Sequence, residues 1–219
     1  MQPPAEHLLI FAREPVLGRV KTRLAATIGP AAALAAYREL LALTAAAVAA
    51  AQVPATVWLA EAPTGSLATA ATALGPNFGL SPLPPRPEWP GLPWRVQPAA
   101  DSLGTRMSHA FAEAFAGGAG RVVIIGTDCP GLTAALLRQA FGQLATHDLV
   151  VGPATDGGYY LLGMNSLHPA LFANKPWSTA AVLPATLADA RRLGLRVAQL
   201  PTLADVDSAH DLAAWRAGR

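Results

Sequence analysis

The run Arg121-Val-Val-Ile-Ile-Gly126 constrains the fold most, because it has no polar face. A strand with one side in water alternates apolar and polar residues, whereas a strand covered on both sides reads as a continuous apolar run. A second run of this kind, Leu8–Ala12, lies near the start of the chain. Between such runs the period changes to that of a helix. Pro30 sits where a first helical turn tolerates proline, and Leu34, Tyr37, Leu41, Thr44 and Val48 recur at three- and four-residue steps. Pro54 ends that element and Thr56–Ala60 reads as a strand. Leu103, Met107, Phe111 and Phe115 step by four behind a capping pair, Asp101-Ser102. The spacing then predicts a helix over Leu132–Leu144, strands over Leu149–Gly152 and Tyr159–Met164, and a helix over Ala180–Leu193. A strand over Arg196–Leu200 and a helix over Ser208–Ala217 close the chain. This alternation predicts an α/β fold of three layers, with helices on both faces of a mostly parallel sheet.

The length, 219 residues, suits one domain over 1–219, with 1–7 as a tail. Between Ala62 and Ala100 the pattern blurs, and 81–93 forms a proline-rich loop that excludes regular structure. Such a loop is either a functional lid or a passive insertion. Hydrophobic residues make up 52% and charged ones 14%, which argues against disorder. The Ala31–Ala51 stretch is mostly alanine and carries Arg38 and Glu39 at its middle, so it suits a soluble helix better than a bilayer span. A net charge of +2 argues against a nucleic-acid partner. The single cysteine, Cys129, excludes an intrachain disulfide and a multi-cysteine zinc site. Both facts suit a cytoplasmic protein.

Ligands of open α/β sheets bind where strands end at their carboxyl side. Four loops placed there carry unusual polar content. The first, Arg13–Arg23, gathers Arg13, Arg19, Lys21 and Arg23 around Gly18, a set suited either to gripping a polyphosphate or to a solvated basic turn. It matches neither the Gly-x-x-x-x-Gly-Lys-[Ser/Thr] loop nor the Gly-x-Gly-x-x-Gly fingerprint. The second, Gly126-Thr-Asp-Cys-Pro130, places Asp128 after an apolar strand, where it either ligates Mg²⁺ or Mn²⁺ or caps the next helix. In the third, Asp156-Gly157-Gly158, the aspartate is a candidate general base and the glycine amides can line an acceptor pocket; a plain Asp-Gly turn is the alternative. The fourth holds Asp205 and Asp207, of which one needs to face the metal while the other, or Ser208, caps the last helix. The five histidines show no metal-ligand spacing, Cys129 is a poor nucleophile candidate beside a proline, and Trp89, Trp94 and Trp177 suit packing better than a sugar or base pocket.

Phe11-Ala-Arg-Glu-Pro-Val-Leu-Gly-Arg-Val-Lys-Thr-Arg-Leu24, Gly126-Thr-Asp-Cys-Pro130, Gly152-Pro-Ala-Thr-Asp-Gly-Gly-Tyr-Tyr160 and Asp205-Val-Asp-Ser-Ala-His-Asp-Leu212, in that order, resemble a bacterial group of GT-A-like glycosyltransferases. It includes the radical SAM/selenodomain-associated transferases, within the nucleotide-diphospho-sugar transferase superfamily. The resemblance implies that Asp128 and Asp207 hold the metal that bridges a diphosphate, and that Arg13, Gly18, Lys21 and Arg23 surround the nucleotide. Asp101-Ser-Leu-Gly-Thr-Arg-Met107 resembles a further element of the group, with Arg106 as a phosphate or base contact. The glycine-rich loop of sugar-phosphate nucleotidylyltransferases is missing, while Lys21-Thr-Arg-Leu24 is similar to the 2-phospholactate guanylyltransferases. The implied activity is glycosyl transfer from an NDP-sugar to a small-molecule acceptor. Nucleotidyl transfer from an NTP with release of pyrophosphate is the alternative reaction, and a non-catalytic nucleotide-binding partner protein is the alternative of another class.

Overall fold

The structure, a computed structural model, describes residues 4–62, 86–100 and 102–218. Asp101 and residues 81–85 of the proline-rich loop lie outside them. Seven strands form one sheet: β1 (Glu6–Ala12), β2 (Ala55–Leu59), β3 (Trp94–Val96), β4 (Arg121–Ile125), β5 (Leu149–Pro153), β6 (Tyr159–Met164) and β7 (Val197–Gln199). Their spatial order is β3-β2-β1-β4-β6-β5-β7. Only β6 runs against its neighbours β4 and β5; every other pairing is parallel.

The helices are α1 (Thr22–Ile28), α2 (Pro30–Ala51), α3 (Leu103–Ala116), α4 (Ala134–Gln143), α5 (Val182–Arg192) and α6 (Ala209–Ala217). Alternation along the strands sorts them into two layers. Leu8, Ile10, Val57, Val123 and Ile125 pack with Tyr37, Leu41 and Val48 of α2 and Leu137 and Phe141 of α4. Leu9, Trp58, Val122, Ile124 and Leu162 pack with Met107 and Phe111 of α3 and Ala190 of α5. A smaller cluster, Leu24, Ala36, Leu40, Val206 and Leu212, fastens α1 and α6 to the outer side of α2. The three-layer α/β/α fold predicted from the sequence is therefore the fold observed. Helix α2 is long and apolar enough to cross a bilayer, yet it lies between the sheet, α1, α4 and α6.

Several boundaries differ from the sequence expectation. Strand β1 starts at Glu6, so Glu6 and His7 belong to the sheet and not to the tail. Polar side chains hid this, because each finds a partner: Arg121 pairs with Glu6 at 3.5 Å, and the His7 ring lies 3.0 Å from the Thr56 hydroxyl. Helix α1 was not expected; it has no capping side chain and only seven residues. Strand β3 is a three-residue edge between prolines, too short to show a period. The β5–β6 connection is a hairpin with a bulge at Gly152/Pro153, which makes β6 antiparallel.

Asp148, at the start of β5, accepts the Arg196 amide at 2.9 Å and its guanidinium at 3.1 and 3.2 Å, clamping β5 to β7. Those bonds hold the Asp148 carboxyl at about 2, below its ordinary value. A depressed carboxyl stabilises the fold above its unfolded value, about 4, and the contribution is lost as pH falls through about 2. The melting temperature of Asp148→Asn is accordingly expected to lie below wild type at pH 6 and to converge on it between pH 4 and 2. Arg196 is exposed and Asp148 only partly buried, so the gap is expected to be small and to narrow in salt. Thermal melts across that range check this.

Candidate functional site

The chain winds outward from β1 through β2 to β3, then returns to β4 on the other side of β1. This reversal makes a topological switch point between β1 and β4, and the carboxyl ends of strands at such a point are the usual ligand position in open sheets. Strands β1, β4, β5 and β7 are parallel, so the four polar loops that follow them emerge at one end. Backbone bonds lace them together. Val206 donates to the Asp128 carbonyl at 3.0 Å, and Leu203 donates to Pro153 at 3.0 Å. The Tyr37 hydroxyl accepts the Arg13 amide at 2.9 Å, donates to the Arg13 carbonyl at 3.1 Å and lies 3.5 Å from the Thr127 hydroxyl. Tyr37 reads in sequence as one more member of an apolar stripe, and only its hydroxyl shows the second task.

Lys21 stands at the centre. Its Nζ lies 2.6 Å from Asp128 Oδ1 and 2.8 Å from Asp207 Oδ1. Arg23 pairs with the other Asp207 oxygen. The Lys21 side chain is 5% exposed, while Asp128 is 48% and Asp207 33% exposed, so the carboxylates keep an open outer side. Burial works against the Lys21 charge, but the two carboxylates outweigh it and hold the ammonium above its ordinary range. Burial likewise opposes the Asp207 charge, and Lys21 and Arg23 overcome it, holding that carboxyl below its usual range. Lys21 adopts φ 48° and ψ 47°, a left-handed conformation costly for a residue with a side chain. The strain fixes the direction from which Nζ reaches both carboxylates.

Helix capping, the other use considered for these aspartates, falls to their neighbours. Thr133 caps α4, accepting the Leu136 amide at 3.2 Å. Ser208 caps α6 in a reciprocal box with Asp211. Asp211 also accepts the Asp207 amide at 3.2 Å, which orients the backbone that carries Asp207. Asp205 points elsewhere: the Cys129 thiol donates to its Oδ1 at 2.6 Å. Burial, then the nearby Asp156, Asp128 and Asp207, push the Asp205 carboxyl up to about 6. Burial and the Asp205 charge push the Cys129 thiol far up as well, so it stays protonated and inert.

Locally the third loop is the Asp-Gly turn. Gly157 donates to the Ala154 carbonyl at 3.1 Å, and Gly158 donates to Asp156 Oδ1 at 2.8 Å. Both glycine amides are thus engaged within the loop, and Asp156 itself is exposed. Gly157 has φ 88°, and a Cβ there would lie 2.4 Å from the Ala180 carbonyl oxygen. Gly157→Ala is expected to cost about 3 kcal/mol from strain and overpacking together, read by urea denaturation.

The basic loop divides in two. Arg13 and Arg19 turn away from Lys21 toward Glu61, at 3.9 and 3.5 Å, around the φ 76° turn at Gly18. Glu61 follows β2 and was not singled out in the sequence. Arg106 lies beyond the β2 end, donating to Gln97 Oε1 at 3.0 Å, with its Nε buried and unpartnered. Trp89 and Trp94 are core residues and Trp177 is partly buried against the α3 side, so all three pack. The described part of the proline-rich loop is anchored by Trp89 and by an Arg86–Glu14 ion pair at 3.1 Å.

Residues 43–179 match the model of the family described as "Uncharacterized protein conserved in bacteria (DUF2064)". The chain belongs to the DUF2064 family. It is similar to a proposed nucleotide-diphospho-sugar transferase from Desulfovibrio desulfuricans G20, at 31% identity over 98% of this chain and 87% of that one, with a TM-score of 0.83. It shares the fold of a nucleotidyl transferase from Methanothermobacter thermautotroptrophicus, at 15% identity over 98% and 97% of the two chains, TM-score 0.58. It also shares the fold of Rv0371c from Mycobacterium tuberculosis H37Rv, solved in complex with manganese, at 16% identity over 96% and 97%, TM-score 0.51. No curated protein matches the chain. The family member therefore has the fold of the nucleotide-diphospho-sugar and nucleotidyl transferases.

Proposed function

We propose that the chain is a metal-dependent transferase that moves the glycosyl group of an NDP-sugar to a small-molecule acceptor. The convergence of Asp128 and Asp207 on one cation, beside Arg23 and at the switch point of the sheet, carries this reading. The donor set suits Mg²⁺ or Mn²⁺, which take one or two carboxylates and leave positions for phosphates and water. Among the described residues no three His, Cys, Asp or Glu side chains are grouped to hold a metal alone. That also fits an ion whose shell a substrate completes. When bound, the divalent cation supplies charge neutralisation to the leaving diphosphate.

The chain's own groups do the rest. Lys21 and Arg23 grip the diphosphate, Arg13 and Arg19 line its entry around Gly18, and Arg106 meets a phosphate or the base. Asp156 keeps Oδ1 on the Gly158 amide and uses Oδ2 to take the acceptor's proton. The likeness to a proposed nucleotide-diphospho-sugar transferase and the manganese in Rv0371c support the donor and the ion.

One observation favours nucleotidyl transfer as the second reading. Arg13 and Arg19, on the loop of Lys21 and held by Glu61 from the end of β2, offer charge for a further phosphate. Thermal-shift screening against NDP-sugars and NTPs, with and without Mn²⁺, separates the two. Selective Mn²⁺-dependent stabilisation by an NDP-sugar, with release of the free nucleoside diphosphate on turnover, is the expected result. Stabilisation by NTPs with pyrophosphate release selects nucleotidyl transfer. Metal-independent binding without turnover contradicts both and selects a nucleotide-binding partner protein.

A further inference from the structure

Two lysines stand among fourteen arginines in this chain, and both are buried against carboxylates. Lys175 is matched by one neighbouring Asp189. Lys21 is placed differently, because it spans two carboxylates delivered by loops far apart in sequence. Its ammonium stands at the point where both carboxylates present an oxygen, and its strained backbone holds it there. A point cation at that position substitutes for a metal ion in place and charge sign, though with half the charge and, at 2.6 and 2.8 Å from the two oxygens, a larger radius than Mg²⁺.

We propose that Lys21 is a placeholder cation: in the ligand-free protein its ammonium keeps the metal position between Asp128 and Asp207 closed, and the donor diphosphate opens it by drawing Lys21 onto its phosphates. The inference rests on the metal-dependent reading above. Three consequences follow from the geometry. In the free protein the buried ammonium screens two half-exposed carboxylates that otherwise repel each other. The metal binds weakly alone, since it must displace an ammonium that hydrogen-bonds both carboxylates. Donor and metal then bind with positive coupling, as one ligand removes the other's competitor. Among the described residues Arg23 pairs with Asp207 and not with Asp128, and its side chain is 77% exposed, so it weakens the metal position by a screened charge without occupying it.

The test is Mn²⁺ binding measured by electron paramagnetic resonance on the full chain, without and then with UDP or GDP. In wild type, Mn²⁺ alone is expected to bind weakly and to tighten at least tenfold with the diphosphate. Lys21→Met is expected to bind Mn²⁺ alone at least tenfold more tightly than wild type while binding the diphosphate more weakly. Arg23→Gln, which removes a screened charge beside Asp207 but leaves Lys21 in place, is expected to tighten Mn²⁺ binding in the absence of diphosphate by less than Lys21→Met does, while weakening diphosphate binding. A Lys21→Met protein that folds only when Mn²⁺ is added supports the proposal equally. Unchanged or weaker Mn²⁺ binding in Lys21→Met, or an equal gain in Arg23→Gln, overturns the placeholder role while leaving Asp128 and Asp207 as metal ligands. Failure of Lys21→Met and Lys21→Gln to fold with or without Mn²⁺ also overturns it, because no cation then replaces Lys21. Absence of Mn²⁺ binding in every protein, with or without the diphosphate, overturns the metal reading itself.

Discussion

Asp189→Ala is expected to lower stability by about 3–5 kcal/mol, because it leaves the ammonium of Lys175 buried without its counter-ion. The Lys175 side chain is 1% exposed and pairs with Asp189 on α5, with the Ala185 carbonyl at 3.4 Å as its other partner. A single weak carbonyl contact cannot replace a carboxylate. Arg192, also paired with Asp189 at 2.8 Å, is exposed and regains water instead. The double variant Lys175→Met, Asp189→Ala removes the buried charge together with its partner and is expected to recover more than half the loss. Urea denaturation of the four proteins in this cycle measures the coupling. A loss below about 1 kcal/mol in the single variant contradicts the assignment of Lys175 as a buried cation. The pair matters to the site because it pins the segment that continues to Trp177 and Ala180. That segment packs on Gly104, where a Cβ would meet the Trp177 ring at 2.4 Å, and on Gly157 of the Asp156 loop.

Asp128→Ala is expected to weaken Mn²⁺-dependent nucleotide binding by at least about 100-fold, in line with the cost of disturbing a metal's ligand shell. The fold itself is expected to survive, since Asp207 remains paired with Lys21 and Arg23, and the backbone bond from Val206 to the Asp128 carbonyl does not depend on the side chain. Calorimetric titration of an NDP-sugar in the presence and absence of Mn²⁺ reads the effect. An unchanged titration in Asp128→Ala removes that residue from the metal site.

What could be read from the sequence follows from where the physics is local. Arg121–Ile125 and Leu8–Ala12 declare themselves as doubly covered strands by composition alone, so the layers of the fold follow directly. Edge β3 and the short α1 carry too few residues to set a period. Glu6 and His7 hid the start of β1 because their cross-strand partners lie 115 and 49 residues away.

At the site, loop ends after predicted strands named Asp128, Asp156, Asp207 and the basic residues. The division of the basic loop was hidden, since Glu61 shows its role only by lying opposite Arg13 and Arg19. The residues alone left Asp205 and Asp207 open and the resemblance named Asp207; what neither could show is that Cys129 engages the Asp205 carboxylate while Lys21 engages that of Asp207. Gly157 and Gly158 were expected to line an acceptor pocket with their amides, but those amides serve the Asp-Gly turn itself.

The most direct measurement is a crystal structure grown with Mn²⁺ and a nucleoside diphosphate, with the metal located by its anomalous scattering. One Mn²⁺ is expected within about 2.0–2.3 Å of an oxygen from each of Asp128 and Asp207, with diphosphate oxygens completing the shell. The Lys21 ammonium is expected to leave its place between those carboxylates for the phosphates. Diphosphate bound with Lys21 still between Asp128 and Asp207, and the Mn²⁺ elsewhere or absent, contradicts both expectations.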